Sequence, residues 1–199
     1  MRRYFWLLST ILLVAVIGFV AWGGCAAPAP AGPPAAPEVK LNRIEVVKYE
    51  ALSKDFPKGY SSTAVGFFEL ALILDITNPN DYPIKLEAAR AAIEFEGGPD
   101  KWFGVGATQA YEYQWVPAKM TNQLRLNALF TTRVVTLALL VPGAHAPMLK
   151  ALGMSHNDMI RKWWDEVDDL GFKIRVNGDM NFTSPQGDVT ATFSDVFPK

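Results

Sequence analysis

The chain has 199 residues, of which 50% are hydrophobic and 20% charged, and its formal net charge is −1. This length and apolar content suffice for one globular domain with its own core. The charge is nearly balanced, and no basic run and no interleaving of aromatic and basic residues occurs, which argues against a nucleic-acid partner.

An uncharged apolar stretch lies near the start of the sequence. It covers residues 4–22 and follows Arg2 and Arg3, and about 20 apolar residues suffice to cross a bilayer as a helix. Basic residues stay on the cytoplasmic side and aromatic residues favour the two interfaces, as Trp6 and Trp22 would do. We therefore expect one N-terminal transmembrane helix in the inner membrane, a cytoplasmic N-terminus and a periplasmic domain, with Trp6 and Trp22 as candidate partner contacts.

The single cysteine, Cys25, comes directly after this stretch. The sequence Trp22-Gly-Gly-Cys25 resembles the lipidation site of a bacterial lipoprotein, although Trp22 stands where that class usually has Leu. The apolar stretch is also longer than the roughly 7–15 residues of a cleavable signal core. Residues 1–25 are therefore either an uncleaved anchor or a lipoprotein signal. One cysteine cannot form an intramolecular disulfide, so the fold must depend on its core.

A spacer rich in proline and alanine follows over residues 26–40. This composition favours an extended polyproline II conformation and does not pack into a core. At about 3.1 Å per residue, twelve such residues span on the order of 35 Å. The globular domain, predicted for residues 41–199, is thus expected to lie near the membrane surface.

Apolar runs separated by turn residues predict a series of strands in this domain. The first run, residues 67–74, is too short for a comfortable helix before Pro79 ends it. The run 134–141 is almost continuously apolar, which is typical of a strand buried on both faces. The predicted strands are residues 41–50, 67–74, 91–97, 124–130, 134–141, 172–178 and 189–193, with a further strand beginning at Ile84.

One amphipathic helix is predicted over residues 157–170. Ser155 or Asn157 can cap its start and Gly171 its end. Its apolar stripe contains Ile160, Trp163, Trp164, Val167 and Leu170. Neighbouring helical positions diverge by about 100°, so Trp163 and Trp164 cannot both point straight into one core. We expect one indole to be buried and the other to lie at the edge of the stripe, and we take both as candidate partner contacts.

The turn Asn78-Pro79-Asn80-Asp81 is the most informative local motif. Pro79 donates no hydrogen bond and disfavours a helical Asn78, while Asn80 and Asp81 supply side-chain acceptors for a tight turn. This asparagine-proline-asparagine turn between two strands, followed by Pro83-Ile84, resembles the late-embryogenesis-abundant type 2 (WHy) family. The resemblance continues in the order of the following strands and helix, from about residue 41 to 197.

Membership in that family would imply a particular architecture. The resemblance implies an antiparallel β-sandwich of about seven strands, Greek-key-like, with one short α-helix. It also implies a binding or structural role, because known members lack an established catalytic site.

Candidate catalytic groups are sparse. His145 and His156 are the two histidines, and neither has a cysteine partner or a carboxylate at metal-ligand spacing. Glu94 and Glu96 alternate with apolar residues as on a solvated strand face. The glycine-rich turns lack the strand, helix and Lys-Ser/Thr context of a phosphate loop. We therefore expect no enzyme activity, no metal site, no cofactor and no small-molecule substrate.

Clustered aromatic residues are the remaining candidates for recognition. Trp102 and Phe103 follow the Gly97-Gly98-Pro99-Asp100 turn, so we expect them near a loop tip, where exposed apolar side chains indicate a partner or a membrane. Tyr111, Tyr113 and Trp115 alternate along a predicted strand, which fits either sheet packing or a recognition surface.

Two classes of function remain open from the sequence. The first is a membrane-tethered periplasmic accessory subunit that binds and stabilises a larger inner-membrane complex, such as a respiratory or photosynthetic assembly. The second is a stand-alone envelope lipoprotein of the water-stress type that protects clients or binds an apolar ligand.

Overall fold

The computed structural model describes residues 32–54, 56–57, 66–111, 113–141 and 143–198. Within these residues the chain forms eight strands and three helices. The strands are β1 Glu38–Tyr49, β2 Phe67–Thr77, β3 Ile84–Gly98, β4 Lys101–Ala110, β5 Gln114–Val116, β6 Thr121–Thr131, β7 Ile174–Ser184 and β8 Gly187–Phe197. The helices are α1 Thr132–Leu140, α2 His145–Ala151 and α3 His156–Glu166.

The expected transmembrane helix lies outside the described residues, as do Trp6, Trp22 and Cys25. Among the residues that are described, no single helix is long and apolar enough to cross a bilayer. Helices α1 and α2 meet that criterion only when taken together, and they are bent by 94° relative to each other.

The strands form two antiparallel sheets. The first has the order β1-β2-β6, and the second has the order β4-β3-β7-β8, with β5 also paired to β3. Their buried faces contribute to one hydrophobic core, because alternate residues along each strand point to the same face. The mainly β, antiparallel character is thus confirmed. The prediction of a single short helix is wrong, because the described residues contain three helices.

Side-chain bonds connect the two sheets at both edges. The backbone N–H of Leu41 in β1 donates to a carboxylate oxygen of Asp195 in β8 at 2.8 Å. On the other side the Thr108 hydroxyl in β4 donates to the carbonyl of Asn127 in β6 at 2.7 Å. The two sheets are therefore held together along both edges as well as through the core.

The domain has two distinct ends, which we call the turn pole and the helix pole. At the turn pole Glu38 pairs with Thr77, and the turns around residues 78–83 and 117–120 lie here. At the other end Tyr49 pairs with Phe68, and the three helices follow or cover the strand ends. A strand of twelve residues such as β1 is about 40 Å long, which sets the distance between the poles.

The predicted strand 134–141 is wrong, because this segment forms α1. Strand β6 ends at Thr131, whose side chain accepts from the backbone N–H of Val134 and caps the helix. Val135 and Leu139 are buried on one side of α1, at helical spacing. A short apolar run of this kind fits a buried strand and a helix equally well, and the threonine cap decides between them.

The predicted helix 157–170 is confirmed as α3, with shorter bounds. Ser155 and Asp158 form a capping box at its start. At its end the N–H of Leu170 bonds to the Val167 carbonyl and that of Gly171 to the Glu166 carbonyl, which is the Schellman pattern. Leu170, with φ of 51°, takes the left-handed position that the sequence assigned to Gly171.

Candidate functional site

The asparagine turn is a buried junction at the turn pole. The side-chain amide of Asn78, which is 1% exposed, donates to the carbonyl oxygens of Tyr82, Val116 and Pro117 at 2.8, 3.1 and 3.1 Å. Its own backbone N–H donates to the Met120 carbonyl. Asn78 thus connects its turn to the neighbouring turn between β5 and β6, and it satisfies carbonyl groups that strand pairing leaves open.

Asn80 extends this junction to the N-terminal linker. Its side-chain amide donates to the carbonyl of Ala35 at 2.9 Å, and its side-chain oxygen accepts from the N–H of Ala35 at 3.0 Å. The same amide also donates to the Asn78 side-chain oxygen at 3.0 Å. An asparagine amide has the donor and acceptor of a peptide group, so it can pair with the linker as a strand would. The turn motif therefore has a structural role at the point where the linker meets the domain.

The two tryptophans of α3 are both fully buried, so the expected contact of either with a partner is wrong. The Trp164 ring lies 4.6 Å from that of Phe68 in β2, whereas the Trp163 ring lies 5.4 Å from that of Phe95 in β3. The helix covers the ends of both sheets at the helix pole, so two side chains that diverge by about 100° each fill a different part of the core. The Trp163 indole also donates to the Glu96 carbonyl at 2.9 Å.

Phe103 is a core residue, which corrects its expected position at an exposed loop tip. Strand β4 begins at Lys101, so Trp102 and Phe103 alternate between the two faces of the second sheet. Phe103 is buried against Trp163, with ring centroids 5.7 Å apart. Trp102 is half-buried on the outer face, where the Arg175 guanidinium lies 4.6 Å from its ring centroid. The burial of Phe103 therefore contradicts a partner contact at this residue. The Trp102 ring is still partly exposed to solvent.

The two histidines lie in different helices, His145 at the start of α2 and His156 at the start of α3. His145 is buried beside Phe103, and its Nδ1 lies 2.9 Å from the Ala138 carbonyl, which links α2 to α1. Among the described residues no three His, Cys, Asp or Glu side chains come close enough to hold a metal ion.

A polar groove separates the free edges of β4 and β6. It has a volume of about 780 Å³ and is lined largely by amide, hydroxyl and guanidinium side chains, among them Gln109, Gln123 and Arg125. Gln114 crosses it and donates to the Gln123 carbonyl at 3.1 Å. These bonds occupy backbone groups along the edge of β6, so the groove is partly closed to a further strand.

An exposed set of large side chains lies at the turn pole, and we call Tyr113, Trp115 and Met120 the aromatic patch. Their relative exposures are 74%, 57% and 54%. Lys85, which pairs with Trp115 across β3 and β5, lies 4.5 Å from the centre of the Tyr113 ring. Tyr111, at the end of β4, is also exposed. A position in the core is therefore wrong for all three aromatic residues of this segment, although Trp115 keeps a cross-strand position opposite Lys85.

A second uncovered apolar surface lies on α1, and we call Val134, Leu137, Leu140 and Val141 the α1 face. Their exposures range from 48% to 75%, and the neighbouring Leu129 of β6 is 60% exposed. Residues 134, 137 and 141 have the spacing of one helical stripe. This surface was not predicted from the sequence, because residues 134–141 also fit a buried strand. The Thr131 cap and the helical spacing are the signals that could have revealed it.

Comparison with known proteins gives a distant similarity. No family model matches the chain, and no curated protein matches it. A crystal structure of a protein from Archaeoglobus fulgidus is 12% identical with a TM-score of 0.39, covering 79% of this chain and 94% of that one. A solution structure of an Arabidopsis thaliana protein is 11% identical with a TM-score of 0.41, covering 87% and 85%.

A solution structure described as a candidate late embryogenesis abundant protein is 12% identical with a TM-score of 0.30. It covers 95% of this chain and 80% of that one. At such identities and TM-scores, similarity alone assigns neither a family nor an activity.

Proposed function

We propose that this chain is a non-catalytic accessory subunit, tethered to the inner membrane, that binds a larger membrane protein complex from the periplasmic side. The α1 face carries the proposal. The core buries the side of α1 that carries Val135 and Leu139, whereas the apolar residues of the α1 face are exposed. Docking of the uncovered side against a protein partner would bury it.

The composition of the helices indicates the chemistry of the partner. Helices α1 and α2 contain no acidic residue, and their formal cations are Arg133 and Lys150. The backbone groups of α1 are bonded within the helix, so the partner is expected to meet side chains and not to add a strand. We therefore propose a partner surface with an apolar centre and acidic groups at its rim.

The family proposed for the domain is late-embryogenesis-abundant type 2, in the form of a Greek-key-like sandwich. The bonds made by Asn78 and Asn80 support this assignment, because they give both asparagines of the motif a specific structural task. In this family the fold would act as a scaffold, with the binding surface supplied by the α1 segment.

Paired substitutions on the α1 face test the proposal. Leu137→Gln and Val141→Gln change exposed side chains, so the domain is expected to keep its stability to within about 0.5 kcal/mol. The double variant should lose proteins that co-purify with the wild-type chain from source membranes in mild detergent. Val47→Gln is the matched control, because Val47 is an exposed apolar residue of β1 and lies outside the α1 face.

Two outcomes would count against this function. The α1 face would be excluded if the double variant retained the partner in full. The accessory role itself would be excluded if the wild-type chain, extracted mildly, ran alone. A diacylated chain that begins at Cys25 and purifies alone would instead support the stand-alone lipoprotein.

A further inference from the structure

The aromatic patch lies at the same pole as the entry of the N-terminal linker. Asn80 fixes Ala35 at this pole, and Lys119, two residues before β6, donates from its backbone to the Asn80 carbonyl at 3.1 Å. Met120 follows directly and its carbonyl accepts from Asn78. Met120, one member of the patch, therefore lies beside the linker junction, while Trp115 pairs with Lys85 near the start of β3 at the same pole.

The length of the linker favours this pole as the one that faces the membrane. Twelve residues separate Trp22 from Ala35, and they span on the order of 35 Å when fully extended. The helix pole lies about 40 Å further along β1. A linker fixed at Ala35 therefore lets the turn pole lie at the lipid surface, whereas the helix pole, about 40 Å away, is at or beyond the roughly 35 Å that the spacer can span.

The side chains of the patch are those that favour a membrane interface. Tyr and Trp combine an apolar ring with a polar group and concentrate at the boundary between headgroups and acyl chains. Exposed Met adds an adaptable apolar side chain. An isolated exposed aromatic residue needs no explanation, but three large exposed side chains at one pole indicate a binding surface.

Three lysines at this pole are paired with carboxylates. Lys119 lies 3.0 Å from Asp81, and Lys85 lies 2.6 Å from Glu87. Lys40, near the start of β1, pairs with Glu38. These pairs carry no net charge, and Asp188 at the start of β8 adds a negative one. This pole therefore has no excess of cations to attract anionic headgroups, so contact with lipid would depend on the aromatic side chains and would be insensitive to salt.

We infer that the turn pole rests on the bilayer surface, with Tyr113, Trp115 and Met120 inserted at the lipid interface. This inference rests on the membrane tether of the proposed function and adds a second contact to it. The domain is then fixed in orientation by the patch at one pole, and the α1 face at the helix pole points away from the lipid toward a periplasmic partner surface.

Tryptophan quenching in a bilayer free of other proteins tests the inference. The full chain carrying Trp6→Phe and Trp22→Phe is reconstituted in vesicles whose lipids are brominated near the headgroup. The remaining indoles at the helix pole, Trp102, Trp163 and Trp164, serve as internal controls far from the patch. We expect brominated lipid to reduce the emission and Trp115→Phe to abolish that reduction.

Flotation and alkaline extraction of the same vesicles separate the two proposals. A chain that is extracted lacks its tether, which overturns both the tether and this inference. A chain that stays integral but shows no quenching through Trp115 retains the tether and overturns the lipid contact. Quenching that disappears at about 1 M salt, where the Debye length is about 3 Å, would indicate headgroup electrostatics and overturn aromatic insertion. Quenching that persists supports it.

Discussion

The side-chain amide of Asn80 bonds both backbone groups of Ala35, accepting from its N–H at 3.0 Å and donating to its carbonyl at 2.9 Å. Forty-five positions separate the two residues in the sequence. This pair determines where the linker ends and the folded domain begins. Through this pair the asparagine turn holds the end of the linker against the domain.

Asn80→Ala is expected to release the linker. The variant removes both bonds to Ala35, and each lost bond to a partly buried backbone group costs on the order of 1 kcal/mol. Proteinase K should then cleave the chain near residues 32–37 faster than in the wild type. Asp81→Ala is the control, since that side chain is 83% exposed. Equal cleavage rates in the two variants would contradict the role of the Asn80 pair.

Asn78→Asp tests whether the first asparagine acts as a donor. The substitution keeps the size of the side chain but places a carboxylate against the carbonyl oxygens of Tyr82, Val116 and Pro117. Unsatisfied buried groups and the added repulsion should lower the free energy of unfolding by about 3 kcal/mol or more. Urea denaturation measures it. A loss no larger than that of Asn80→Ala would show that the donor bonds matter little.

The two buried tryptophans should respond differently to the same change. Trp163→Phe and Trp164→Phe remove similar volume, but only the Trp163 indole has a hydrogen-bond partner among the described residues. Trp163→Phe leaves the Glu96 carbonyl without that donor, so it should cost about 1–2 kcal/mol more than Trp164→Phe. If thermal or urea unfolding showed a larger loss of stability for Trp164→Phe than for Trp163→Phe, the proposed role of the Trp163 hydrogen bond would be contradicted.

The capping box of α3 predicts a dependence of stability on pH. The hydroxyl and backbone N–H of Ser155 hold the pKa of Asp158 below its ordinary value of 3.8. Because the folded-state pKa is the lower one, this stabilisation is present above pH 3.8 and is lost as the pH falls through the folded-state pKa.

Asp158→Asn should therefore lower Tm near neutral pH, and its Tm should converge with that of the wild type at strongly acidic pH. A Tm difference that did not change across this range would argue against a charged cap.

Much of the fold follows from local sequence patterns. The strands around Asn78 and Pro79 were predictable because an apolar run, a turn motif and a second apolar run have no helical alternative of suitable length. The start of α3 was predictable because Ser155 and Asp158 form a cap within four residues. In both cases the determining interactions lie close together in the chain.

The misassigned elements depend on distant contacts. Helix α1 has β-branched residues that also suit a strand, and only its packing beside β4 and the Thr131 cap select the helix. Trp163 and Trp164 are both buried because one helix closes the ends of two sheets, which no local pattern reveals. Both candidate surfaces likewise required knowledge of which sides the core covers.

The role as an accessory subunit is tested most directly by purifying the wild-type chain from its source membrane in mild detergent, measuring its intact mass and identifying the co-purifying proteins. We expect integral membrane proteins in a fixed ratio to this chain, lost in the Leu137→Gln, Val141→Gln variant and kept in Val47→Gln. A chain that elutes as a free monomer without stoichiometric companions would contradict it.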